Sequence, residues 1–107
     1  MSGKKESFGP GVYAADAEGN MTLVHPYQGG PYRLVDIFDI WGLGRIEGGA
    51  RKGESVLVLE RGEIRKLKTL ADAFSFDFDQ EFIEMCHAMH RFAVRLTGDS
   101  FRFIGTF

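Results

Sequence analysis

The chain has 107 residues, 44% hydrophobic and 26% charged, with a formal net charge of -2. That length argues for one domain able to bury roughly two-thirds of its unfolded surface. The charge balance supplies no basic field for DNA or RNA, a single cysteine makes no internal disulfide, and no window approaches the roughly 18 apolar residues of a membrane span.

Residues 1 to 10 read as a flexible N-terminal arm, polar and without periodicity, and 11 to 107 as the folded domain. The arm has positive charge but no following apolar run, so it does not read as a secretory signal, and the expected setting is the cytoplasm. "GVYAADAEGNMTLVHP" reads as two short strands around a turn at Glu18, Gly19 and Asn20, because Gly and Asn tolerate the positive φ of hairpin turns. Residues 25 to 32, "HPYQGGPY", read as a loop.

Residues 33 to 41, "RLVDIFDIW", admit two patterns. As a helix they put Leu34, Ile37, Phe38 and Trp41 on one side, opposite both aspartates. Their β-branched and aromatic composition favours a strand. The glycine-rich "GLGRIEGGARKGE" predicts a turn, a short strand near 44 to 48 and another turn, and its spacing matches no nucleotide-binding loop. "SVLVLERGEIRKLKTL" predicts a hairpin: a central strand over 55 to 60, a turn at Arg61-Gly62 and a polar return strand over 63 to 69.

A helix is expected over about 79 to 97, capped by Asp77 or Asp79 and stopped by Gly98. "SFRFIGTF" closes the chain as a strand. The sum is an α+β domain: an antiparallel sheet of about six or seven short strands with one main C-terminal helix packed on one face.

The stretch "EMCHAMHRF" places Cys86, His87 and His90 within one and a half turns. At about 100° per residue, Phe82, Met85, Met89, Phe92 and Leu96 form an apolar stripe flanked by Cys86 and Ala93, with His90 inside the apolar arc. Cys86, His87 and His90, with the distant His25, are the only His and Cys side chains available to a metal or haem. Paired ligand spacings on two segments are missing. The simpler reading is therefore a core helix with a satisfied His90, and no cofactor is expected. The arc covers more than half the helix, wider than one sheet face requires, which suggests a second contact: a wrapped sheet or a partner subunit in a homodimer.

If 33 to 41 is a strand, Asp36 and Asp39 sit between large apolar residues. A carboxylate so placed makes a general acid or base working near neutral pH, with His90 or His25 assisting. Ten phenylalanines suggest either a solid core or a pocket, whose lining would include Phe38, Trp41, Phe82, Met89 and Phe92. Arg61, Arg65, Lys66 and Lys68 form a basic cluster, read as a guarded edge strand before an anion site. The expectation is a small module, homodimeric, that binds a small apolar ligand or a protein partner in a sensing or regulatory role. An acid–base enzyme and a metal or haem protein are the alternatives. Neither nucleic acid nor a membrane is an expected partner.

Overall fold

The computed structural model describes residues 9–15, 20–28, 31–48 and 54–106. Its elements in chain order are β1 (Gly11–Ala15), β2 (Met21–Pro26), α1 (Asp36–Trp41), β3 (Arg45–Gly48), β4 (Ser55–Glu60), α2 (Arg61–Ala73), α3 (Gln80–Ala93) and β5 (Ser100–Gly105). The α+β class stands. The described residues form one antiparallel sheet of five strands, fewer than the sequence suggests, in the order β2-β1-β5-β4-β3.

β4 explains its place in the sheet. Val56, Leu57, Val58 and Leu59 are all buried, so the strand needs cover on both faces and pairs with β3 and β5. The rows Ala14–Phe103–Leu57 and Phe101–Leu59 face the helices. Tyr13, Ile104 and Val56 form the register row of the opposite face. There Arg102 pairs with Glu47 at 2.7 Å, a charged cover over an apolar strand.

Two corrections concern helices. Residues 63–69 are not the return arm of a hairpin but part of α2. Glu63 decides this locally: its carboxylate accepts the Glu60 amide at 2.9 Å and the Gly44 amide at 2.8 Å. An acid three residues past the cap thereby satisfies the cap's own amide and ties the start of α2 to the residue ahead of β3. Ile64, Leu67 and Ala71 then fall on one buried face, a spacing of three and four that a strand cannot use. Residues 36–41 are likewise helix, not strand. Leu34 and Ile37 are buried, and Gly42, at φ 71°, ends the helix by donating its amide to Phe38 O. Gly44 is constrained too: at φ +80°, a Cβ would lie 2.6 Å from Val58 O.

α3 matches expectation at its start. Asp79 accepts from the Glu81 and Phe82 amides at 2.9 and 3.2 Å. It ends at Ala93 rather than near Gly98. The carbonyls beyond it are taken by Arg61, which donates Nε to Gly98 O and Nη2 to Leu96 O, both at 2.7 Å. The Arg61 guanidinium also lies 5.1 Å from the Phe101 ring centre. The wide apolar arc of α3 has an intramolecular cause: α2 packs on it as well as β2, burying Phe82, Ile83, Met85, Cys86, Ala88, Met89 and Ala93.

β2 runs through His25 and Pro26, where a loop is expected from sequence; β2 is an edge strand, where proline is tolerated. Residues 1–8 of the arm, Glu18 and Gly19 of the first turn, and residues 49–53 lie outside the described residues. Gly9 O accepts the Tyr13 hydroxyl at 2.8 Å and the Thr106 hydroxyl at 3.1 Å. No helix among the described residues is long and apolar enough to cross a membrane.

Candidate binding groove

The acid–base candidates are not assembled. Asp36 opens α1, where its carboxylate accepts the Arg33 amide, and Asp39 is exposed on the same helix. His90 lies on α3 in the field of Lys68, His87, Arg91 and Asp72; neither α1 aspartate is among them. His25 is half-buried on β2. Asp36 and Asp39 stand on a helix rather than on the apolar strand from which the enzyme reading is argued.

The stretch "EMCHAMHRF" divides between two surroundings. Cys86 is fully buried, and burial pushes its thiol pKa up. His87 and His90 flank the seam between α2 and α3. There His87 Nε2 is 3.0 Å from Asp72 Oδ1, and Lys68 Nζ is 3.0 Å from Asp72 Oδ2. The Lys68 hydrogen bond chiefly holds the Asp72 carboxyl below its ordinary range. Burial, then the positive charges of Lys68, His87 and Arg91, lowers the His90 pKa from 6.5, with Asp72 opposing. Cys86 points into the core while the histidines sit at the seam. Among the described residues no group of three or more His, Cys, Asp or Glu is placed to hold a metal ion.

The proposed aromatic lining also divides. Phe82 and Met89 are wholly buried. Trp41 packs on Phe78 and Phe82 with ring centres 5.5 and 5.7 Å apart, and Tyr32 stands 4.9 Å from Phe78. These rings pack on one another. Tyr27, buried beside them, donates its hydroxyl to Tyr32 O at 2.7 Å, and its pKa is pushed up to about 12, chiefly by burial. Phe38 is exposed on α1. Phe92, of the five, lines an open groove.

That space follows from strand lengths. β1 pairs with β5 only as far as Ala14–Phe103, while β5 continues along β4 to Ser100–Glu60. Among the described residues the end of β5 therefore has no β1 partner, and the end of α3 overhangs it. The result is a groove of about 470 Å³ whose apolar walls include Ala14, Ala15, Phe92, Leu96 and Phe101. A second hollow of about 320 Å³ adjoins it across Phe92 and reaches Leu23, Arg91 and Arg95.

Among the described residues, the lining of these two hollows holds three arginines, Arg91, Arg95 and Arg102, and no carboxylate. Arg102 is committed to Glu47. Arg91 and Arg95 are exposed, and neither enters an ion pair among the described residues. Sequence reasoning finds Phe92 here and gives Arg91 and Arg95 no place in a site. The usable signal is their spacing: four apart and bracketing Phe92, they share its end of α3. The basic cluster of residues 61–68 is dispersed along α2. Arg61 turns inward, Lys68 pairs with Asp72, and Arg65 and Lys66 remain at the surface.

No family model, curated protein or solved structure matches the chain.

Proposed function

We propose that this chain is a ligand-binding module whose site is the Phe92 groove, serving a sensing or regulatory role. The ligand it suits carries an apolar chain or ring next to an anionic group. One observation carries the reading: the groove has an apolar wall of Ala14, Ala15, Phe92, Leu96 and Phe101 beside the polar Thr97 and Ser100, Arg91 and Arg95 stand at its margin, and no carboxylate among the described residues lines it. Small-ligand sites combine an apolar wall with a few fixed polar groups in this way, in volumes of roughly 300–1,000 Å³. A guanidinium is the residue best shaped to take a carboxylate through two parallel hydrogen bonds.

Decanoate is a suitable probe, having both parts. Titration followed by amide chemical shifts is expected to move the signals of Ala15, Phe92, Leu96 and Phe101 together and saturably. Replacing Arg95 by Glu is expected to weaken decanoate about tenfold or more, the loss of one charge-assisted contact and the gain of a repulsion. Decanoate shifts confined to other surfaces, or unchanged affinity in R95E, overturn the proposal.

A further inference from the structure

The far end of α3 carries a side chain of the kind the groove takes. Phe76 lies in the connection between α2 and α3 and is 99% exposed. It is the most exposed of the large apolar side chains among the described residues, and the residue after it is the exposed Asp77. A phenyl ring followed by a carboxylate reproduces the ligand chemistry above.

The ring is held out by its neighbours. Asp77 donates its amide to Phe74 O at 3.0 Å. Phe74 and Phe78, on either side, stand 6.3 Å apart in an edge-on contact, and Phe78 is anchored on Tyr32 and Trp41. Phe76 is thus the tip of a turn pinned on both sides. An ordered exposed ring of this kind marks a contact surface more often than it marks an unpaired loop.

The same molecule's groove is out of reach. α3 has 14 residues between the turn and the groove, about 20 Å at 1.5 Å per residue. Charge separates along the same axis. Asp77 and Glu81 are exposed at the start of α3, and Arg91 and Arg95 at its end.

We propose that the groove receives Phe76 from a second copy of this chain, with the ring against Phe92 and Leu96 and Asp77 facing Arg91 and Arg95. The inference rests on the groove being the binding site proposed above and names a resident occupant for it. Each copy offers one ring and one groove. Two antiparallel copies can exchange both contacts and close as a dimer; a contact made once continues from copy to copy as an open chain. An apolar anion and a second copy then compete for one place, so ligand binding is coupled to assembly.

Sedimentation velocity of the full chain from about 5 to about 500 µM tests this. Wild type is expected to exceed the monomer mass as concentration rises, less so at high salt, where the aspartate–arginine attraction is screened. Phe76→Ser removes a ring that makes no packing contact in the monomer, so the fold is retained; its dissociation constant is expected to rise about tenfold or more, from the apolar area no longer buried. R95E is expected to weaken assembly, and Asp77→Arg in the same chain to restore it. Decanoate is expected to dissociate wild-type assemblies. A wild type that stays monomeric at the top concentration overturns the inference, as does an F76S variant that assembles like wild type. Decanoate titration of F76S separates the two readings. Binding at Phe92 without any wild-type assembly leaves the groove and removes its occupant; no binding there removes the groove itself.

Discussion

Replacing Arg61 by Ala tests how the end of α3, the groove wall and the start of α2 are held together. In the structure its guanidinium donates to Leu96 O and Gly98 O at 2.7 Å each and lies 5.1 Å from the Phe101 ring centre. A hydrogen bond from a charged donor contributes about 1.5–3 kcal/mol when well shielded. Arg61 is half-exposed, so water replaces part of each bond, and about 1 kcal/mol apiece is the appropriate scale. The contact with Phe101 adds about 0.5–1 kcal/mol. The total is a loss of about 2–3 kcal/mol. At about 4–8 °C per kcal/mol for a domain near this size, Tm falls by roughly 10–20 °C. Urea unfolding followed by far-UV circular dichroism reads the difference at constant m-value. Arg61→Lys is the sharper control. A lysine keeps the charge near the α3 carbonyls but lacks the planar fork that spans two of them, so it recovers less than half the loss. A change under about 0.5 kcal/mol in R61A, or full recovery in R61K, refutes the bidentate account.

Three further outcomes follow from local geometry. Gly44→Ala is expected to destabilise by about 2 kcal/mol or more in urea unfolding, because φ is +80° and the new Cβ meets Val58 O at 2.6 Å; an unaffected midpoint contradicts that backbone. His90 has a folded pKa below 6.5, chiefly through burial, so the unfolded chain binds its proton first. Its contribution is intact above about pH 7 and declines as pH falls through the unfolded value of about 6.5 towards the lower folded one; thermal melts between pH 7.5 and 5 at about half-unit steps should show a shallower slope in His90→Gln, and an identical slope removes the argument. Cys86 is buried with its thiol pKa pushed up, so a disulfide reagent at pH 8 should label it in urea and hardly at all in the native state; fast native labelling contradicts the placement.

Much of the fold is legible from local signals. The runs at 12–15, 21–24 and 55–60 have strand composition, and Asp79 stands one residue before a clear 3.6-residue apolar pattern. Two helices are not so legible. α1 has only six residues, too few for helical spacing to outweigh β-branched and aromatic composition. In α2, Arg61-Gly62 looks like a hairpin turn because glycine after a charged residue suits one. The contrary signal is Glu60 and Glu63 at capping spacing, followed by Ile64, Leu67 and Ala71. With α2 read as a strand, the helix that covers much of the broad apolar arc of α3 goes unseen.

The sequence by itself determined the α+β class, the start of α3, the interior position of β4 and the burial of Cys86, because each depends on residues within a few positions of one another. Tertiary structure alone decided the groove. Among the described residues the groove follows from β1 pairing with β5 only to Ala14 while β4 carries β5 on to Ser100, a difference in strand length between segments far apart in the chain. Phe76 and Phe82 are the same residue six positions apart, yet one is exposed and the other wholly buried. What separates them is whether an aromatic neighbour from α1 or Tyr32 arrives over the ring, which only the folded chain arranges.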